Sequence, residues 1–206
     1  MKSDLYIFGS AVRGEVERDS DIDVLAIVKT DAERQRLPDS WSVYSENTVR
    51  DYFLSGRLFA WHLHLESKCI FSERETPFLE ALGEPSSYVK HGEDFSDLCK
   101  ILYDSLNELK TDTNSPIFEI GVVYTAIRDI AMVASTILLE KPSFSRYSPY
   151  QLPIEFPISR LIYEQAIQAR LLSTRNISAD VAVADVRKSL IDAPIFEWIN
   201  LIGRKL

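Results

Sequence analysis

Between Leu5 and Ile27 the chain runs from a short apolar stretch, Leu5-Tyr6-Ile7-Phe8, through Gly9-Ser10 to Asp21-Ile22-Asp23, which opens a second apolar stretch, Val24 to Val28. No other segment limits the fold so tightly. Each apolar run has the length and composition of a buried strand. Gly9 ends the first, where a residue without a Cβ permits unusual φ values and lets an anion approach the backbone. Ser10 then stands at the head of a possible short helix, whose free N–H groups and positive dipole end attract an anion. Its hydroxyl adds one more donor, and Arg13 adds a forked cation. In the second strand Asp21 and Asp23 lie two apart and share a face, while Ile22 and Val24 point the other way. Two carboxylates so close repel each other unless a divalent cation neutralises them, and their hard oxygens suit Mg²⁺.

Taken alone, Asp19-Ser20-Asp21-Ile22-Asp23 reads as an ordinary acidic turn entering a strand. Joined to the strand, the Gly-Ser turn and Arg13-Gly14 before it, it reads as a site for phosphate and metal. The stretch Phe8-Gly9-Ser10-Ala11-Val12-Arg13-Gly14 through Ser20-Asp21-Ile22-Asp23-Val24-Leu25 resembles the signature of the DNA polymerase β-type nucleotidyltransferase superfamily. It is most like the small bacterial branch of minimal and antibiotic nucleotidyltransferases. The resemblance implies a small mixed β-sheet with flanking helices. It also implies a nucleoside triphosphate held at Gly9, Ser10 and Arg13, Mg²⁺ (in a one- or two-metal arrangement) held by the catalytic pair Asp21 and Asp23, and a third carboxylate on a following strand.

The third acid is where the chain departs from that pattern. The next strand candidate is Trp41 to Ser45, and the expected position falls on Ser42. Asp39 precedes that strand, Asp51 follows in a helix, and Glu46 at the strand's end is the substitute expected to complete the catalytic set. Such an acid serves as a metal ligand or as the base for an attacking hydroxyl. The first strand opens near residue 4, so the helix that often precedes it in such domains is expected to be absent.

Composition sets further limits. Hydrophobic residues at 46% and charged ones at 26% support a packed core. The net charge of −8 is spread over both parts of the chain, which disfavours a long nucleic-acid partner. Cys69 and Cys99 are isolated, fitting neither a metal site nor a disulfide framework, so a reducing cytoplasm is expected. No apolar run follows Lys2 as a secretory leader would require, and none reaches the roughly 18 residues of a membrane span.

The chain divides into an expected nucleotidyltransferase-like domain, 1–85, and an all-α helical bundle, 86–206, giving an α+β protein. In the first, Asn47 to Ser67 reads as a helix that breaks at Ser55-Gly56, with Ser45 or Asn47 as its cap. Lys68 to Phe71 reads as a last strand and Pro77 to Leu82 as a helical turn. His62 and Glu66 are four apart on one helical face, as a packed and satisfied histidine or as a shared site. In the second, helices are expected from Asp94 or Ser96 through Leu109 and over 117–140, 158–173, 179–191 and 195–202, with Pro116 suited to a first helical position. Lys141 to Pro157 holds four prolines and reads as an irregular, packed connection.

This layout resembles kanamycin-type nucleotidyltransferases, and equally a minimal nucleotidyltransferase joined to a HEPN-like helical partner. In such layouts the bundle helps bind nucleotide or acceptor. Arg128 is then a candidate nucleotide ligand, or else the partner of Asp129, Glu119 or Asp104 inside the bundle. HEPN ribonucleases need an Arg followed by a nearby His, and no histidine follows His91. RNA cleavage is therefore not expected.

Three functions remain. One is Mg²⁺-dependent transfer of a nucleoside monophosphate, with AMP expected, from an NTP to a hydroxyl of a small molecule or protein. The second is a catalytically weakened nucleotide-binding or antitoxin-like module. The third is a structural interaction protein using the exposed bundle. A homodimer is among the partners expected under any of the three.

Overall fold

A computed structural model describes residues 3–16, 22–111, 113–175 and 181–206. The architecture is α+β, with a sheet in the amino-terminal part and helices throughout the rest. The chain forms two compact units, Met1–Lys90 and His91–Leu206. Among the described residues, no helix is long and apolar enough to cross a membrane.

The first unit is built on β1 (Asp4–Phe8), β2 (Asp23–Val28), β3 (Ser42–Ser45) and β4 (Ser67–Phe71). They form one sheet in the order β3-β2-β1-β4. β1 runs antiparallel to β2 and β4, whereas β2 and β3 are parallel, so the sheet is mixed. Register sets Phe8 opposite Asp23, Tyr6 opposite Leu25 and Asp4 opposite Ile27. Side chains alternate along a strand, so Tyr6, Phe8, Leu25 and Ile27 share a face. That face is buried against Val49, Phe53, Ala60, Leu63, Phe78 and Leu79. These come from α3 (Glu46–Leu54), α4 (Leu58–Glu66) and α5 (Phe78–Leu82). Two single-turn helices, α1 (Ser10–Arg13) and α2 (Asp31–Arg34), complete the unit.

Local chemistry explains these boundaries. Ser45 caps α3 by accepting the Thr48 N–H at 3.1 Å. The helical stretch breaks after Leu54, as its Ser-Gly pair foretells, because Gly56 takes φ 59°. A Cβ there would be driven into the Ser87 carbonyl oxygen, so only glycine fits this close approach.

The second unit comprises α6 (His91–Lys110), α7 (Pro116–Leu138), a 3-10 turn (Ser148–Tyr150), α8 (Arg160–Arg175), α9 (Val183–Asp192) and α10 (Ile195–Gly203). Its central helix is α7, which buries Ile120, Val123, Ile127, Ile130 and Ala134 and begins with proline at its first turn. α6 opens earlier than its apolar periodicity suggests; Glu93 and Asp94 in its first turn complement the helix dipole. The connection after α7 is tied down by serines. Buried Ser135 Oγ donates to the Met132 carbonyl at 2.7 Å and accepts the Ser143 N–H at 2.9 Å. Tyr147, Tyr150 and Phe156 from this connection pack edge-on or tilted against Tyr163 of α8. Both cysteines are free, and burial pushes the Cys99 thiol up to about 11, which leaves it an unreactive packing residue.

Candidate active site at the glycine–serine turn

Gly9 leaves β1 with φ 69° and ψ −135°, a conformation open to glycine and strained for any other residue. Its N–H donates to the Glu66 carbonyl oxygen at 3.1 Å, and its own carbonyl accepts from the Val12 and Arg13 N–H groups. Ser10 thus begins α1, and Gly14 ends that turn in the left-handed region. The turn is held from outside by the last residue of α4.

Asp23 is the first residue of β2, paired with Phe8 and exposed at the strand's open end. A Cβ placed on Gly9 would lie 3.1 Å from Asp23 Oδ2 and 3.8 Å from His62 Nε2. The carboxylate and the imidazole therefore converge on the turn, in space that glycine alone leaves open. Asp21, its expected companion, lies outside the described residues.

Gly9→Ala tests this close approach. The Cβ adds backbone strain of about 1–3 kcal/mol and must displace the Asp23 carboxylate. The expected result is a lower melting temperature together with weaker nucleotide-induced stabilisation, read by thermal shift with and without MgATP.

Arg13 is engaged by carboxylates. Its Nε meets Glu15 Oε2 at 2.9 Å, and its Nη1 makes a short contact to Glu66 Oε2. His62 Nε2 stands 3.1 Å from the same Glu66 oxygen, one helical turn away. The imidazole packs edge-on against Phe8 and Phe59. The packed and paired histidine is thus what the structure contains. Glu66, legible only as a helical neighbour of His62, proves to be the residue that joins Arg13, His62 and the Gly9 backbone.

Glu46 must be corrected as the substitute third acid. β3 runs parallel to β2 and sets Ser45 opposite Val28, so Glu46 follows at the carboxyl end of that pair. Asp23 stands at the amino end of the six-residue β2, and such a strand spans roughly 17 Å. Glu46 is instead paired with Arg74 Nη2 and lies 3.8 Å from Lys29 Nζ. Ser42 opens β3 beside Leu25, two residues along from Asp23, in the position where the third acid was expected.

Arg128 sits on α7 in the second unit. Its Nε donates to Asp129 Oδ1 at 2.8 Å, and its guanidinium lies over the Tyr124 ring at 5.7 Å. Burial works against the charged form, but Asp129 and Tyr124 outweigh it and raise the Arg128 pKa. Of the two roles the sequence offers this residue, the described contacts are those of the internal partner of Asp129.

The donor chemistry at the turn suits a hard divalent cation. Among the described residues, no group of three or more His, Cys, Asp and Glu side chains forms a metal cage. Mg²⁺ is commonly held without one, by one or two carboxylates together with substrate phosphates. A carboxylate directly against a phosphate-type turn meets that requirement.

In this mixed sheet the Gly-Ser turn stands against an acid of the neighbouring strand. Residues 2–83 match the family model of the nucleotidyltransferase domain. That segment is a nucleotidyltransferase domain, in keeping with the DNA polymerase β-type superfamily, and the match ends before the helical unit. No curated protein matches the chain.

Proposed function

We propose that the chain transfers a nucleoside monophosphate, AMP above all, from an NTP to a hydroxyl group with release of pyrophosphate. The observation that carries this reading is the convergence of the Asp23 carboxylate on the Gly9 turn within a matched nucleotidyltransferase domain. In this reading Gly9 and Ser10 receive the phosphate tail, and the Ser10 hydroxyl donates to a phosphate oxygen. Asp21 and Asp23 hold Mg²⁺. The cation supplies charge neutralisation and polarisation at the phosphate. The acceptor oxygen forms a bond to the α-phosphorus as the bond to the pyrophosphate oxygen breaks, and the hydroxyl proton leaves to solvent or to a base. The acceptor is a small molecule or a protein side chain, and in this reading the bundle over 86–206 is a HEPN-like or kanamycin-type helical domain. A reducing cytoplasm suits the two free cysteines.

One observation favours a second reading. Ser42 stands where a third acid is expected, and a site short of its base binds nucleotide better than it turns it over. This is the nucleotide-binding or antitoxin-like module. Pyrophosphate release from each NTP, with Mg²⁺ and with EDTA, separates the two. Mg²⁺-dependent release supports the transferase. Thermal stabilisation by MgATP without release supports the binding module, and neither effect overturns both.

A further inference from the structure

We infer that Glu66 is the positioning residue of the nucleotide turn and that Arg13 acts through Glu66, not as a phosphate ligand. The inference rests on the nucleotidyl-transfer reading of the site. A helix of four residues cannot hold itself together, since its first turn fixes more backbone than its hydrogen bonds repay. α1 therefore depends on outside support, and Glu66 supplies it twice. Its carbonyl oxygen accepts the Gly9 N–H at 3.1 Å, at the entry to the turn. Its carboxylate takes Arg13 from the last residue of α1, at the exit. One residue at the end of α4 thus clamps both ends.

The electrostatics point the same way. Arg13 carries one positive charge between two carboxylates, Glu15 and Glu66, so this group of three is net negative. Among the described residues, the cation of this group is already shared between two carboxylates and is not offered to a polyphosphate tail. The ion pair is well shielded, with the Arg13 and Glu66 side chains only 18% and 14% exposed. Salt and water therefore screen it less than a surface pair. His62, packed edge-on against Phe8 and Phe59, places its Nε2 3.1 Å from the same Glu66 oxygen.

The test is a cycle of Glu66→Gln, Arg13→Gln and the double variant, assayed for pyrophosphate release with MgATP. If Arg13 works through Glu66, each single change should raise KM about tenfold while kcat stays within about threefold, because the turn serves ground and transition states alike. The double variant should be no worse than the poorer single, since both remove the same clamp. A loose structural role away from the turn would lower the melting temperature and leave KM alone. If Arg13→Gln raises KM while Glu66→Gln leaves or lowers it, Arg13 binds phosphate and the inference falls. Glu66→Asp keeps the charge and the backbone contact while withdrawing the carboxylate; it should give a smaller rise in KM and serves if the glutamine variant is unstable. Where the wild type binds MgATP without turnover, the Kd from thermal shift replaces KM with the same expected pattern. A wild type that neither binds nor turns over MgATP overturns the function itself, an outcome readable before any variant is made.

Discussion

Asparagine at position 23 should reduce MgATP-dependent pyrophosphate release by about a thousandfold, equal to about 4 kcal/mol of transition-state stabilisation. The melting temperature should stay where it was. Asp23 stands exposed at the open end of β2, and its backbone pairing with Phe8 does not depend on its side chain. Asparagine has nearly the same shape, so the side chain still reaches the Gly9 turn that Asp23 Oδ2 approaches. What disappears is the negative charge that would hold a hard cation against the incoming phosphates. The loss should appear in kcat and persist at saturating nucleotide, and excess Mg²⁺ should recover only part of it. Turnover that persists in Asp23→Asn would remove this carboxylate from the chemistry and leave the site without its central acid.

Much of this was readable in the sequence because it is local. The alternation of Leu5 to Phe8 and Asp23 to Val28 and the glycine between them each act over a few residues, where strand geometry dictates the outcome. The break at Ser55-Gly56 and the Ser45 cap were legible for the same reason. What escaped depends on register and distance. Glu46 looked suitable because it follows a strand next to the acidic one. Only the parallel pairing of β2 and β3 shows that it emerges at the wrong end. Nothing in the spacing linked Arg13 to Glu66, which lie 53 residues apart and meet because α4 returns to the β1 turn. The hint was weak: an arginine just after the Gly-Ser pair, and an acid one helical turn beyond a histidine. The same distance hid Asp4, the first residue of β1, as a structural anchor.

Asp4→Ala should destabilise the first unit by about 3 kcal/mol. Asp4 is 1% exposed, at the end of a strand whose other inward residues are Tyr6 and Phe8. A carboxylate so buried is tolerated only because it is saturated. Its Oδ1 accepts from Ser72 Oγ at 2.9 Å, its Oδ2 accepts the Phe78 N–H at 2.7 Å, and Arg74 Nε stands 3.2 Å from Oδ2. The Phe78 amide is the first N–H of α5, which has no partner within the helix, so Asp4 acts as a cap delivered from another element. Alanine would leave that amide, the Ser72 hydroxyl and one side of Arg74 unsatisfied at once. Asn at position 4 retains an acceptor for the Phe78 amide and should cost about half as much. Hydrogen exchange gives a residue-level reading, because 3 kcal/mol corresponds to opening about a hundredfold more often. The Phe78 and Leu79 amides should lose protection by about that factor in Asp4→Ala. The same two amides should exchange as in the wild type after Asp23→Asn. If Phe78 keeps its protection in the alanine variant, the α5 end is held by something other than Asp4, and the anchoring role is wrong.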